Sequence, residues 1–351
     1  MLLRLISFML AVILLIACGE KEKKTEEKDL QQTVAAYDST DLKTEAISNP
    51  DELFKFRYGF KKGEKYTYRL TVISKSQQSI EADSNFTRSF EQTISYLIEL
   101  SPVEIEKDSS MELQVNCKSF NMDANMGGQE IKYTSSGKPD SADAVKYAEY
   151  EAFINNPFNI RISKSGQILD VIRAERVSNK FLELRGLADS IKTEDKLMVK
   201  DDLVKNIIKP LLAQIIREYP ETEMAKDSSW QKDISPVQIL TFNVQHTNTY
   251  KVEKLESLNG DKIALVDGSI QSKVEGKTSY TDERGIKYQF KKPVSTASAK
   301  IYFNITKGFV QKGKTETTMQ SEYTMEMQTP TGLRKGKTKE VITNKNILEL
   351  L

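Results

Sequence analysis

Eight residues near the end of the chain, 308–315, have the spacing Gly-x-x-x-x-Gly-Lys-Thr of a phosphate-binding loop. Such a loop binds phosphate through the backbone amides at the start of a helix, so a helix must follow the threonine. After Thr315, however, Met319, Tyr323 and Met325 share one period-two phase with polar residues between them, which is typical of a strand. The sequence therefore predicts a glycine-rich hairpin end with solvated lysines, and neither a nucleotide nor another cofactor is expected.

The chain has one histidine, His246, so any Ser-His-Asp or Cys-His site would depend on it. It alternates in phase with Phe242 and Val244, and no Gly-x-Ser-x-Gly sequence accompanies it, which favours a structural histidine in a strand. Cys117 falls on the apolar side of another strand, so a buried thiol is favoured over a reactive one. These patterns predict no catalytic residue and no enzyme.

Two acidic pairs, Asp201-Asp202 and Asp282-Glu283, could serve a glycosidase or hold Ca²⁺, but neither has the spacing of a calcium loop. Acidic pairs usually lie in water, so solvated surface is the favoured interpretation. A single histidine and the absence of cysteine pairs leave no zinc pattern, and no metal is expected. Trp230, the only tryptophan, is predicted to anchor a helix-to-strand junction in the core, with stacking on a ligand as the alternative.

The N-terminus has the pattern of a secretion signal. Arg4 precedes an apolar run over 5–16, which ends at Ala17 and Cys18 and is too short for a membrane span. The sequence Leu-Ile-Ala-Cys resembles the bacterial lipobox. That resemblance implies cleavage between Ala17 and Cys18 and acylation of Cys18 with palmitate-like chains, while an ordinary signal peptide with an incidental cysteine is the alternative.

The segment after Cys18 mixes both charges and has few apolar residues, so we expect a disordered tether over 18–52. Gly19 stands where many bacterial lipoproteins retained in the inner membrane have aspartate, so this resemblance implies the outer membrane. The periplasmic and surface faces both stay open. Asp38-Ser39-Thr40 resembles an acceptor sequence for O-glycosylation, with Ser39 as the modified residue.

Charge and cysteine content limit the partners and the means of stabilisation. The 351 residues include 51 basic and 50 acidic ones, so no net field favours nucleic acid. If Cys18 carries lipid, Cys117 has no partner for a disulfide, and the core alone must stabilise the fold. Contact with a membrane is expected only through the lipid anchor.

Long period-two runs on both sides of a helical centre predict a mainly β (α+β) fold. We expect long, curved antiparallel sheets, with an open half-barrel as one arrangement, and the central helical segment packed on the concave face. The predicted divisions are a signal peptide over 1–17, the lipidated cysteine and tether over 18–52, an N-terminal β-rich half over 53–175, central helices over 176–220 and a C-terminal antiparallel half over 221–351.

The central helix, predicted over 193–219 with a kink at Pro210, carries four apolar pairs spaced by four residues. These pairs are Leu203 and Val204, Ile207 and Ile208, Leu211 and Leu212, and Ile215 and Ile216. Core packing against a sheet is the favoured interpretation, and a lid over a lipid-filled cavity is the alternative.

The mature chain resembles a family of uncharacterised Bacteroidota lipoproteins of unknown function. The similarity lies in the lipobox and in residues 62–68, 157–160, 165–166 and 227–230, together with the helix that contains Pro210. It implies an extracytoplasmic β-rich domain and no activity. More loosely, the predicted sheet is similar to outer-membrane lipoprotein carriers, which hold acyl chains under helices.

We therefore expect a lipid-anchored protein of the cell envelope with a non-catalytic binding or structural role. Its partner would be a hydrophobic ligand or another envelope protein. The alternatives are a carrier or sensor of a lipid and, in another class, a carboxylate-based hydrolase of the envelope. The missing nucleophile and metal patterns favour the non-catalytic interpretation.

Overall fold

A computed structural model describes residues 37–351 except 83, 136–140 and 331, so the predicted signal peptide and Cys18 lie outside the described residues. The strands of the described part are β1 Glu45–Ala46, β2 Tyr66–Glu81, β3 Phe86–Ile105, β4 Met111–Met126, β5 Gln129–Thr134, β6 Phe158–Ile162, β7 Ile168–Ile172, β8 Ser229–Ile239, β9 Phe242–Leu258, β10 Asp261–Gly276, β11 Ser279–Thr281, β12 Lys287–Phe290, β13 Val294–Asn304, β14 Phe309–Thr329 and β15 Gly332–Leu350. Its helices are α1 Ser141–Lys146, α2 Ala148–Glu151, α3 Glu175–Leu184, α4 Thr193–Leu203 and α5 Lys209–Ile215, with a π-helical stretch, Val204–Ile208, between the last two.

All of these strands belong to one antiparallel sheet. Its main path is β1-β9-β10-β13-β14-β15-β2-β3-β4-β6-β7, and the short or peripheral strands β5, β8, β11 and β12 attach to it. Strand makes up 57% of the structure and helix 13%, which confirms the predicted mainly β fold. Because β15 pairs with β2, the two predicted halves share a continuous sheet.

The longest hairpin, β14–β15, has its register set by opposite charges. On the outer face of the sheet Glu316 is paired with Lys345, and Glu326 with Lys335. The Lys335 ammonium lies 2.6 Å from the Glu326 carboxylate. A slip of one residue would separate these pairs and move every apolar side chain to the other face, so patterning and charge specify the same register.

The inner face of the sheet carries the core. One row of directly paired, buried residues crosses it from β2 to β9: Leu70, Leu348, Gly313, Ile301, Val266 and Val252. Residues paired in this way point to the same side of an antiparallel sheet, so their side chains form a continuous apolar layer. The helices pack against this layer.

The segment 54–60 shows that the sheet is strongly curved. The amide of Tyr58 donates to the carbonyl of Lys164 in the β6–β7 turn at 2.9 Å, and its ring meets that of Phe303 on β13 with centroids 5.5 Å apart. Strands β6 and β13 are six positions apart, about 29 Å in a flat sheet. A single residue, Tyr58, contacts both, so the inner face is concave and segment 54–60 closes part of its opening.

The central helix has 23 residues and lies on the concave face against β2 and β15, as predicted. The π-helical stretch ends two residues before Pro210. Proline has no backbone N–H to donate, and its ring would clash with the carbonyl four residues earlier in a regular α-helix. The helix ends at Ile215, earlier than the predicted residue 219. Beyond it the chain is extended at Ile216, and the Tyr219 amide donates to the Ser165 carbonyl at 2.9 Å.

Residues 37–52, assigned by sequence to the disordered tether, lie instead across the outer face of the sheet; we call them the strap. The Asp38 carboxylate accepts from the ammonium of Lys312 at 2.7 Å, Leu42 packs on an outer apolar patch, and β1 pairs with β9. The charged run 20–29 that suggested disorder lies outside the described residues, whereas Asp38 and Asp41 of the strap form ion pairs with lysines of distant strands. Any tether is correspondingly shorter. Among the described residues, no helix combines the length and apolarity needed to cross a membrane.

Candidate ligand-binding face

The inner face can be followed row by row beyond the central helix, because paired residues share a side. The last row that the helix covers contains Val72 and Asn346. There the side-chain amide of Asn346 donates to the Gln214 side chain of α5 at 3.1 Å. Strands β2, β3, β14 and β15 continue well past this row.

Four further rows form what we call the open face. Their side chains point to the same side as the core but lie beyond the helix. These residues are Ser74, Ser76, Gln78 and Ile80 of β2; Gln92, Phe90, Arg88 and Phe86 of β3; Asn344, Ile342, Glu340 and Thr338 of β15; and Thr317, Met319, Ser321 and Tyr323 of β14. Within the described residues, Phe90, Ile342 and Met319 are half-buried and belong to none of the buried clusters.

Polar and apolar rows alternate on the open face, about 6.8 Å apart. The row nearest the helix is polar. The next one contains Phe90, Ile342 and Met319, with Ser76 between the first two. A second polar row separates it from the last, where Phe86 and Tyr323 lie. A surface with alternating polar and apolar rows can contact both parts of a ligand that has a hydrocarbon chain and a polar group.

Two charged groups lie on the open face, on different strands. The Arg88 guanidinium lies over the ring of Phe86, 5.1 Å from its centroid, and the residue is exposed. The Glu340 carboxylate accepts from the Ser76 hydroxyl at 3.2 Å. In the described part of the chain no carboxylate lies within ion-pair distance of Arg88, so its charge is available to a ligand.

Aromatic rings extend the open face onto β11 and β12. The ring centroids of Tyr280 and Tyr288 are 6.2 Å apart, those of Tyr288 and Phe290 are 5.9 Å apart, and Phe290 lies 5.8 Å from Tyr323. Tyr280 is exposed. The apolar border of the open face therefore continues to the sheet edge.

The predicted apolar stripe lies in the other, covered half of the concave face. Five of its residues are buried in the core, and Val204, Ile207 and Leu211 are half-buried against it; the buried ones are Leu203, Ile208, Leu212, Ile215 and Ile216. Two depressions of the described residues, about 370 and 480 Å³, are lined largely by polar side chains of β10–β15 and lie away from the helix. The residues of the stripe thus lie in the core or pack against it, and neither depression lies beneath them.

The strap holds the predicted glycosylation site in a defined turn. The Asp38 carboxylate binds the ammonium of Lys312, whose side chain is only 5% exposed, and also accepts from the Thr40 amide at 2.8 Å. These contacts hold the pKa of Asp38 well below its usual range. The carbonyl of Ser39 accepts from Lys314 at 3.0 Å, while the residue itself is exposed. Modification of Ser39 stays a prediction, but it no longer rests on disorder.

The other residues considered for chemistry have structural surroundings. Lys314 lies within β14, since a strand and not a helix follows the Gly308 turn, and it pairs with Asp41 of the strap. His246 lies in β9 with its Nδ1 2.8 Å from the Ser272 hydroxyl, and partial burial lowers its pKa. Burial raises the pKa of the Cys117 thiol to about 12.

The acidic pairs are not assembled into a site. Asp282 caps the β11–β12 turn by accepting from the Ile286 amide at 2.9 Å, and its partner in an ion pair is Arg284. The Asp201 side chain is 75% exposed beside Lys200. Across the described residues no three side chains of metal-ligating type come together.

Trp230 anchors the start of β8, as predicted. Its ring lies 5.3 Å from that of Tyr250 and 5.7 Å from that of Phe56, and it is half-buried. The indole nitrogen is buried without a partner among the described residues. This placement favours the structural interpretation over stacking on a ligand.

The open face itself was not identified from the sequence. A difference in length could have revealed it. Strand β14 has 21 residues and spans about 70 Å, whereas the 23 residues of the central helix span about 35 Å. One helix therefore leaves much of such a sheet uncovered. Period-two patterning that continues through Met319 and Tyr323 marks the uncovered part.

Fold and site together define a mainly β protein built on one large open sheet whose inner face is only partly covered by the central helix. The chain belongs to a family described as a family of unknown function (DUF6263), which matches residues 108–310, more than half of its length. No curated protein matches it.

Several solved structures overlap with the chain at low similarity. A structure described as lipid–protein interactions in lipovitellin has a TM-score of 0.40 and 13% identity, covering 83% of this chain; the chain spans 25% of that protein's length. OpdL of Pseudomonas aeruginosa has a TM-score of 0.19 and 8% identity, covering 82% of this chain and 99% of its own. The outer membrane protein OpdK of the same organism has a TM-score of 0.15 and 6% identity, covering 80% and 98%. Overlaps of this size say nothing about the ligand of this chain.

Proposed function

We propose that the protein is a lipid-anchored protein of the cell envelope whose role is non-catalytic: the binding of an apolar ligand on the open face. One observation carries the proposal. Phe90, Ile342 and Met319 form a half-buried apolar row outside the buried clusters. Contiguous apolar surface in contact with water marks interaction sites, because covering it is the main favourable term in association.

The path of the N-terminal chain supports this arrangement. The proposed anchor is Cys18, in the outer membrane of a bacterium of the Bacteroidota type. From there residues 19–36 would give a tether of about eighteen residues, with an r.m.s. reach of roughly 23 Å if it is flexible. The strap receives that tether on the outer face, where Asp38 binds Lys312. The open face, on the opposite side of the sheet, is left free for a ligand.

Native mass spectrometry of the protein extracted from its own membrane tests the proposal. We expect the wild type to carry a noncovalent apolar molecule and Ile342→Glu to lose it. Val341→Glu is the matched control, because Val341 is the neighbouring half-buried residue of β15 but faces the opposite side. Comparable urea midpoints for the two variants would exclude a general loss of fold.

Two outcomes would contradict the proposal. One is a wild-type protein that carries no such molecule and takes up none when it is offered. The other is loss of the molecule in Val341→Glu but not in Ile342→Glu, because binding would then occur on the outer face.

A further inference from the structure

We propose that the ligand of the open face is a long-chain carboxylic acid, with its hydrocarbon chain laid across the strands and its carboxylate on Arg88. This inference rests on the proposed binding function and gives it a ligand class. It depends on one row of side chains and on the charge of Arg88, which has no ion-pair partner among the described residues.

The row, here named the acyl band, consists of Phe90, Ser76, Ile342 and Met319 on four adjacent strands. Three of the four are apolar. The Ser76 hydroxyl donates to Glu340 in the next row, so its oxygen is engaged away from the band. Polar rows flank the acyl band on both sides, which confines a hydrocarbon chain to a narrow strip.

The width of the acyl band sets the length of chain it can cover. From β3 to β14 there are three strand spacings, about 14 Å. An extended alkyl chain advances about 1.25 Å per carbon, from C–C bonds of about 1.5 Å at tetrahedral angles. The band therefore covers about eleven carbons, and a longer chain continues past Met319 towards Ser295 of β13.

Charge decides which end of the acyl band takes the carboxylate. Arg88 lies two residues from Phe90 on β3 and faces the same side, exposed and stacked only on Phe86 among the described residues. On β15, two strands away, Glu340 would repel an anion. A carboxylate placed at the β3 end forms a charge-assisted hydrogen bond with the guanidinium, and the chain then runs towards β14.

Competition binding tests the inference, using the full chain produced without acylation and a fluorescent acyl probe. Hexadecanoic acid and hexadecanol share a chain and differ in charge. We expect the wild type to prefer the acid by about tenfold, the size of one hydrogen bond to a charged group. Affinity among the acids should rise with length up to about twelve carbons and then level off as the band is filled.

Variants of Arg88 test whether its guanidinium binds the carboxylate of the ligand. Arg88→Gln should abolish the preference by weakening the acid alone, and Arg88→Lys should keep most of it. Lys339→Gln is the control, since it removes one positive charge from an exposed position on the outer face. The alcohol measures the hydrocarbon contact in every variant, so a misfolded protein would be recognised by loss of both ligands.

The results separate the inference from the function on which it rests. Equal binding of acid and alcohol to the wild type, or a preference that survives in Arg88→Gln, would overturn the carboxylate site while leaving an apolar-ligand protein. Failure of every acyl compound to bind would overturn the inference, and native mass spectrometry of the extracted protein would then decide separately whether the open face binds another apolar ligand.

Discussion

Gly166, in the β6–β7 turn, is a position where a single methyl group should disrupt the concave side of the sheet. Its φ is +91°, and a Cβ there would lie 2.2 Å from the Arg217 carbonyl oxygen and 2.4 Å from a ring carbon of Tyr58. Neither neighbour is free to move. The Tyr58 hydroxyl donates to that carbonyl at 3.1 Å and accepts from the Arg217 amide at 2.8 Å.

The cost of Gly166→Ala can be built from three contributions. Placing alanine in the left-handed region costs about 1–2 kcal/mol. Overpacking at a close contact adds about 1–3 kcal/mol. Loss of either Tyr58 hydrogen bond adds about 1 kcal/mol. We expect a total of about 3–6 kcal/mol in the free energy of unfolding.

Gly63 provides a matched control, because its φ is +88° and nothing lies within 4 Å of a Cβ placed there. Gly63→Ala should therefore show only the backbone contribution, partly offset by the lower entropy of the unfolded chain, for a net cost of about 1 kcal/mol or less. Urea unfolding followed by Trp230 fluorescence is the assay, since Trp230 lies 6.1 Å from the ring of Tyr219 in the same region. Equal losses in the two variants would refute the steric argument.

Three further predictions concern the core, the strap and the thiol. Ile208→Ala should cost about 2–5 kcal/mol because Ile208 is fully buried, whereas Leu197→Ala, at an exposed position of α4, should cost far less; similar values in denaturant titrations would mean that the helix does not pack as described. Asp38→Asn should lower stability at pH 7 relative to the wild type. The difference should shrink progressively as pH falls below about 4, the usual pKa of the carboxyl group in the unfolded chain, and should be lost as pH falls through the lowered pKa of the folded state. Thermal melts across pH would contradict this if the two proteins differed equally at pH 3. Cys117, with its pKa raised to about 12, should react with a thiol reagent at pH 8 only after unfolding, and rapid labelling of the native protein would be the contrary result.

Local patterning predicts much of the fold. The period-two phase of Met319, Tyr323 and Met325 indicates a strand where the glycine-rich loop alone would suggest phosphate binding, and β14 runs through it. The spacing of Ile208 and Leu212 places both on the buried face of the helix. In these cases the interactions that determine the element are made within about twenty residues of sequence, so the periodicity of apolar residues predicts it.

Pairings between distant residues account for what could not be predicted. The acyl band brings Ser76 beside Ile342, which lies more than two hundred residues later in the chain, and no local pattern specifies that register. Likewise, the sequence predicts that Asp38 and Asp41 belong to a solvated tether, because their lysine partners lie far along the chain on β13 and β14. Contacts within such a row, and ion pairs between residues distant in sequence, depend on strand pairing. They can be identified only from the assembled sheet.

The central claim is that an apolar ligand contacts the open face, and the methionine methyl groups report on it most directly. With ¹³C-labelled methionine methyls, addition of a long-chain acid should shift the Met319 signal, since Met319 is half-exposed in the acyl band. Met111, which is buried on β4, should not move. Saturable shifts at Met319 with an unchanged Met111 are the predicted result, and an unshifted Met319 under conditions where the ligand binds would contradict the account.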